Sequence, residues 1–447
     1  MTASLVLMAA LDLGALFATK EAWSEKPEIF AVDHKKEGFA FASETRDQVN
    51  CLDPTTCVWH GLKVWEARVF FNTTGEEPGV SRVEISLYNR GDASSKLRKF
   101  EDGRLVETDR GDKIDVAGLK AKIAAVDKVM EKGTPANPEK TTLRNGAVRY
   151  RRVYAKADPR GELVWGLSAP GASNARTVEY LRLTLTPAKA PGARRGGSSS
   201  AKKPAGKGKG AKIKDNVTKS PNGDVFIDGV PMVDQGQKGY CAAAVSERVL
   251  RYYGAQVDEH EVAQQAGTEA EGGTRVTDMK QAVTAIGEKN GLGFQEIVAM
   301  QSGLGDVEEQ VSRYNKAAKA EKRPELSIAS FTRNHVVYVG ELIAAMEPKV
   351  VYRMRLKDPR FKKFSAGIRQ QVKAGIPVFW GVTLGIYPER GVNPQTSGGH
   401  IRLIIGFNDK KKEILYTDTW GEGHELKRMP EDWAFAITHD AFFLKPR

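Results

Sequence analysis

Four residues of this chain, Cys241, His400, Asp418 and Gln235, have types and settings that suit covalent chemistry. Cys241 follows a polar turn broken by glycine, Gln235-Gly236-Gln237-Lys238-Gly239-Tyr240. It opens a run in which Ala242, Val245, Val249, Leu250 and Tyr253 recur at helical spacing. The spacing predicts a helix with the cysteine on its first turn. Backbone N–H groups without intrahelical partners and the positive end of the helix dipole favour an anion there, which for cysteine is the nucleophilic thiolate. A lone cysteine in an apolar helix is ordinarily an inert packing residue, so the chemistry depends on what accompanies it.

His400 follows Ser397-Gly398-Gly399 and begins the apolar run Ile401-Arg402-Leu403-Ile404-Ile405. Asp418 ends Glu413-Ile414-Leu415-Tyr416-Thr417 and precedes Thr419-Trp420-Gly421. Strands over 401–407 and 413–418, turning about 408–412, would put His400 and Asp418 at the same end of a hairpin. An imidazole held by a carboxylate can take a thiol proton and return it to a leaving amine. Gln235, six residues before the cysteine, can aim its amide at the oxyanion beside the Cys241 N–H. Trp420 would shield the His400 and Asp418 pair from water.

These motifs resemble the papain-like cysteine peptidases, in which Gln, Cys, His and then Asn or Asp follow in that order, with Trp-Gly after the last. The run from Cys241 to Tyr252-Tyr253-Gly254 is similar to the C39-like branch. The resemblance spans about residues 222–447. It implies Cys241 as nucleophile, His400 as general base and acid, Asp418 as the residue orienting it, and Gln235 as oxyanion donor, acting on a peptide or protein substrate. Ala242 and Ala243 stand where that branch carries Gly-Pro. Two other outcomes use the same residues: acyl transfer by an amidase or a transglutaminase-type enzyme, and an inactive papain-fold binding module.

The elements that must position these residues fall late in the chain. A strand is expected at 225–230, then helices at 241–254, 258–266, 277–289 with Thr277 as N-cap, and 306–321. A strand is expected at 291–300, others at 326–331 and 350–356, and a helix at 361–374 ending on Gly375. Strands then follow at 377–384, 401–407, 413–418 and 441–444. Helices first and sheet second gives an α+β, two-lobed domain over 217–447. Residues 20–187 read as a second, sheet-rich α+β domain. Its strands are expected at 28–32, 38–42, 62–71, 81–88, 147–154, 162–167 and 180–186, with one helix at 116–132.

Between the two, residues 188–216 are rich in Lys, Gly, Pro and Ser and read as a disordered linker. Of the chain's net charge of +12, nine charges come from Lys and Arg between Pro187 and Lys214, where no acid occurs. The folded parts are therefore only mildly basic. The segment 188–214 suits weak contact with a polyanion, and it lacks the interleaved aromatic residues that would stack on bases. Specific nucleic-acid binding is not expected.

Cys51 and Cys57 form a local pair, as a short disulfide, as two thiols, or with His60 as part of a metal site. No fourth ligand accompanies them, and no cofactor or metal is expected. His335 and His424 read as structural or surface residues, His424 being near enough to Trp420 for a substrate contact. Residues 1–19 read as an atypical signal peptide or an N-terminal helix, which points to a secreted or periplasmic protein. No apolar run reaches the length of a membrane span, and a monomer is expected.

Overall fold

The computed structural model describes residues 10–53, 55–72, 78–94, 96–101, 104–109, 112–131, 137–171, 174–188, 213–236, 238–255, 257–268, 274–299, 304–389 and 398–447. Helices and sheets are mixed throughout, and two apolar clusters form, one in each half of the chain.

The N-terminal half is built on an eight-stranded sheet in the order Glu139–Thr142, Val148–Tyr154, Arg160–Leu167, Val178–Thr186, Gly79–Asn89, Glu66–Asn72, Gln48–Cys51, Ala40–Phe41, every pairing antiparallel. The helix Val116–Met130 contributes Leu119, Val126 and Met130 to the core, and Asp115 caps its first turn. Leu13 and Phe17 are buried in the same cluster, so the described part of the 1–19 segment packs into this core. The apolar beginning of that segment, 1–9, lies outside the described residues.

The C-terminal half runs from helices to sheet, as its sequence predicts. Helices Cys241–Tyr252, Glu259–Ala266 and Val276–Lys289 precede the strand Leu292–Ala299 and the helix Leu304–Ala320. The sheet order is Val217–Lys219, Asp224–Ile227, Gly398–Asn408, Val378–Leu384, Thr438–Pro446, Leu292–Ala299. Glu413–Thr417 also pairs with Gly398–Asn408 and carries Lys427–Pro430 on its other edge. The strand Gly398–Asn408 is buried from His400 onward, packed by the helices Cys241–Tyr252 and Arg360–Lys373. That double covering makes its sequence an almost continuous apolar run.

Two expected strands are helices, for one reason. Residues 28–32 lie in the helix Pro27–Asp33, and 350–356 in the helix Pro348–Leu356, each with proline on its first turn. Proline there lacks an N–H that the helix would not use and has its φ already set for helix, which outweighs the strand preference of the Ile, Phe and Val that follow. Residues 328–331 form a 3-10 turn, Ile328–Phe331, where a strand was expected. The helix expected to start from Thr277 begins at Val276, with Arg275 at its N-cap. The hairpin Lys96–Glu101 with Arg104–Asp109 and the strands Gln48–Cys51 and Glu139–Thr142 add to the expected set.

Most of the expected linker, 189–212, lies outside the described residues, while its last four form a 3-10 turn, Ile213–Asn216. Cys51 and Cys57 are both free thiols, their sulfurs 3.9 Å apart. No described helix is long and apolar enough to cross a membrane.

Gly375 shows how tightly this half is fitted. It follows the helix Arg360–Lys373 with φ +76°, a region L side chains rarely adopt, and a Cβ there would sit 2.1 Å from the Ile213 carbonyl oxygen. Gly375→Ala is therefore expected to lower stability by about 2 kcal/mol in urea unfolding. An unchanged midpoint would contradict this packing.

Candidate active site

Cys241 is the first residue of the helix Cys241–Tyr252, as the apolar spacing predicts. Tyr240 at the N-cap makes no side-chain capping bond, so the first-turn N–H groups keep their outward-facing donors beside the half-buried thiol. The helix behind it is lined with buried small residues, Ala242, Ala243 and Ala244, which let it lie close against the sheet.

One turn further, Arg248 fastens this helix to the segment that carries Asp418. Its guanidinium is 1% exposed and donates to three acceptors: the Pro231 carbonyl at 2.7 Å, Thr417 Oγ1 at 2.7 Å, and the Asp418 carbonyl. Burial pushes the group down to about 10, with the Asp418 charge acting the other way. A single side chain thus fixes the distance between the cysteine helix and the last strand of the hairpin.

His400 and Asp418 meet as the hairpin geometry predicts. His400 pairs with Val382 across one edge of its strand, and Leu403 pairs with Thr417 across the other, which leaves Asp418 just beyond the paired residues. His400 Nε2 lies 2.6 Å from Asp418 Oδ1, and that oxygen also accepts from the Thr419 N–H at 2.9 Å. The second carboxylate oxygen lies 2.8 Å from Arg402 Nε. That N–H is not aligned on the oxygen, so charge links the two without a hydrogen bond.

Arg402 is two residues from His400 on the same strand, hence on the same face. It is fully buried, and it also donates to Glu389 Oε1 at 2.8 Å. Glu389 in turn accepts from the Tyr416 hydroxyl at 2.6 Å.

The ring of Trp420 stacks on that of His400, centroids 4.7 Å apart and planes 17° apart, the cover expected from its position after Asp418. With Nε2 committed to the carboxylate, Nδ1 is the nitrogen left to face the Cys241 side chain, whose presence raises the ring's pKa. Burial would push the His400 imidazole down. The Asp418 carboxylate overrules it, and with the Cys241 contact the ring is held up at about 9. Burial would likewise raise Asp418, but the His400 and Arg402 charges hold it well below the usual carboxylate range.

Gln235 is buried beside the same segment. Its backbone N–H donates to the Thr419 carbonyl at 2.9 Å, and its Oε1 accepts from Thr419 Oγ1 at 2.6 Å. Its Nε2 donates to the Lys238 carbonyl at 3.0 Å, which occupies one of the two amide hydrogens. The four residues singled out in the sequence therefore lie on three segments locked to one another: 235–241, 398–402 and 417–420.

Arg402, Arg248 and Lys238 are site residues that the sequence pattern did not single out. Arg402 left the clearest signal, a charge inside an apolar strand. Of the other histidines, His424 meets the edge of Trp420 at 5.5 Å, and its carbonyl accepts from the Asp418 N–H at 2.9 Å. His335 sits at the turn of the exposed Thr332–Arg333 and Val336–Val337 hairpin. His260 is buried with Glu66 and Glu259, the one grouping of three metal-type ligands among the described residues.

Residues 345–439 match the model of the Peptidase C39 like family, a stretch that includes His400 and Asp418. No curated protein matches this sequence. Solved structures also resemble it, three of which follow. The peptidase domain of Streptococcus ComA, a bi-functional ABC transporter involved in a quorum-sensing pathway, is 14% identical, with TM-score 0.25 over 49% of this chain and 100% of that one. A double glycine motif protease from an AMS/PCAT transporter, in complex with the leader peptide, is 14% identical, with TM-score 0.24 over 49% of this chain and 93% of that one. Xylellain, a cysteine protease from Xylella fastidiosa, is 12% identical, with TM-score 0.27 over 53% of this chain and 90% of that one.

The His400 shift has a consequence for stability with a definite sign. Below the ordinary histidine value of 6.5 both folded and unfolded chains carry the proton, so the stabilisation is fully present. Between 6.5 and about 9 only the folded chain keeps it, and the contribution is lost as pH rises through about 9. The stability advantage of wild type over His400→Asn should therefore shrink by roughly 3 kcal/mol between about pH 6 and about pH 10, measured by urea unfolding. An advantage independent of pH would mean that the ring gains nothing from Asp418.

Proposed function

We propose that this protein is a cysteine peptidase that cleaves peptide bonds through an acyl-enzyme on Cys241. The observation that carries the reading is the buried His400 and Asp418 pair at 2.6 Å, set beside Cys241 on the first turn of its helix. The match of residues 345–439 to a peptidase family model supports it.

In this reading the Cys241 sulfur attacks the scissile carbonyl carbon while its proton resides on His400. The carbon–nitrogen bond breaks as His400 passes that proton to the leaving amine. Water then attacks the thioester, His400 takes its proton, and the acid product leaves with the thiol restored. Asp418 holds the ring in orientation and supports its positive charge, and Arg402 keeps Asp418 ionised. The Cys241 N–H and the second amide hydrogen of Gln235 receive the oxyanion. Because Gln235 Oε1 is held by Thr419, its amide faces one way before substrate arrives.

The substrate class is a peptide or protein. The wider organisation belongs to the same proposal: a papain-like domain over 217–447, a sheet-rich domain over 20–187, and between them a basic linker whose 188–214 segment makes weak contact with a polyanion. The protein acts as a monomer outside the cytoplasm.

Profiling newly created N-termini in a proteome treated with wild type or with Cys241→Ala identifies the substrates and tests the reading together. Cys241→Ala and His400→Ala are expected to abolish cleavage, while Asp418→Ala retains a residue of it because the oxyanion donors remain. Gln235→Ala should lower kcat by about 10²- to 10³-fold. Undiminished cleavage by Cys241→Ala would overturn the mechanism.

A further inference from the structure

The turn that delivers Cys241 is gripped from the other half of the chain. Lys238, three residues before the cysteine, is 1% exposed, and a lysine head group leaves water only where countercharges replace it. Its ammonium lies 2.9 Å from Glu259 Oε1, 3.1 Å from Glu66 Oε2 and 3.6 Å from Asp92 Oδ2. Burial opposes the charge, but these three carboxylates hold the group well above the usual lysine range. Glu66 begins a strand of the N-terminal sheet, and Asp92 lies in the short helix Arg90–Ser94 beside it. The carbonyl of the same Lys238 accepts from Gln235 Nε2. The lysine therefore joins the N-terminal half directly to the Gln235 amide.

Two further contacts grip the same stretch. Tyr240, the residue before Cys241, is buried with its ring on Gly91, where a Cβ would come within 2.6 Å of the Tyr240 Cζ. Arg68 donates to both oxygens of Glu247 on the cysteine helix, at 3.2 and 3.3 Å, and also pairs with Glu66 and Glu259. The N-terminal half thus holds the chain just before Cys241 and again six residues after it. Buried charges of this kind are poor stabilisers compared with apolar packing of the same volume, but they fix register and orientation. Glu66, Glu259 and His260 could also be read as metal ligands, but the cations of Arg68 and Lys238 already fill that role.

We propose that Lys238 is a positioning residue for Cys241 and Gln235, and that the N-terminal half, through Glu66 and Asp92, is a built-in activator of the peptidase site. This rests on the thiol-hydrolase reading of Cys241. Without its anchor the 235–240 turn is free to shift, and a shift of an ångström there misplaces both the sulfur and the oxyanion donor.

The test uses the full chain and iodoacetamide near neutral pH, with labelling of each cysteine followed by mass spectrometry. Cys51 and Cys57 are buried and report unfolding in the same sample. Lys238→Met combined with Glu259→Gln removes one cation and one carboxylate together, so no new net charge is buried. Lys238→Arg keeps the charge but replaces a compact head by a planar fork. Cys241 labelling should slow about tenfold in the double variant and about threefold in Lys238→Arg, with Cys51 and Cys57 as protected as in wild type. Wild-type labelling rates at Cys241 in either folded variant would overturn the proposal. If the double variant exposes Cys51 and Cys57, it has unfolded, and Lys238→Arg, which retains all three countercharges, decides. Wild-type Cys241 labelling no faster than an unstructured cysteine peptide would instead sink the thiol-hydrolase reading and the positioning role with it.

Discussion

Asp418 has no exposed surface, and a carboxylate so placed stays ionised only where cations replace its water. His400 and Arg402 do so from one face of one strand, bound to different oxygens of the carboxylate. The rest of the site follows from that constraint. The strand must be buried on both sides, so from Gly399 to Phe407 its sequence is apolar apart from these two residues. The hairpin must end just before Asp418, so that the carboxylate turns inward. Arg248 must take the Asp418 carbonyl, which brings the cysteine helix against the same segment. A change that displaced Asp418 would therefore move the His400 ring, the Cys241 helix and the Gln235 amide together.

The arrangement also explains why charged residues are so frequent inside this molecule. Arg248, Arg402 and Lys238 are all buried, and each joins segments distant in sequence. Arg248 ties the helix to the hairpin, Arg402 ties the hairpin to Glu389, and Lys238 ties the cysteine turn to the N-terminal sheet. Apolar packing brings such segments together but tolerates sliding, whereas a buried charge surrounded by acceptors tolerates little. The N-terminal half, which carries none of the four residues first singled out, meets the cysteine helix and its turn through Lys238, through Gly91 under Tyr240 and through Arg68 on Glu247.

Much of the arrangement of these side chains is legible in the sequence because it is local. The glycine turn and the helical spacing after it place Cys241, the two apolar runs and their turn place His400 beside Asp418, and Gly375 marks its own helix end. Asp258 caps the helix Glu259–Ala266, its Oδ1 accepting from the Glu261 N–H at 3.1 Å. What was not legible depends on partners far along the chain. A lysine in a polar turn or an arginine on a helix reads as a solvated residue until the fold supplies its acceptors, which is why Lys238 and Arg248 went unmarked. The helices Pro27–Asp33 and Pro348–Leu356 differ from expectation for a local reason, since a proline at the first turn outweighs the strand preference of the residues behind it.

Whether the buried Asp418 carboxylate keeps the His400 ring protonated beside Cys241 is read from nitrogen NMR of the His400 imidazole. In wild type the ring should remain doubly protonated through neutral pH and titrate near 9, and in Asp418→Asn its titration should fall toward the ordinary 6.5. A His400 that titrates near the ordinary value in both proteins would contradict the account.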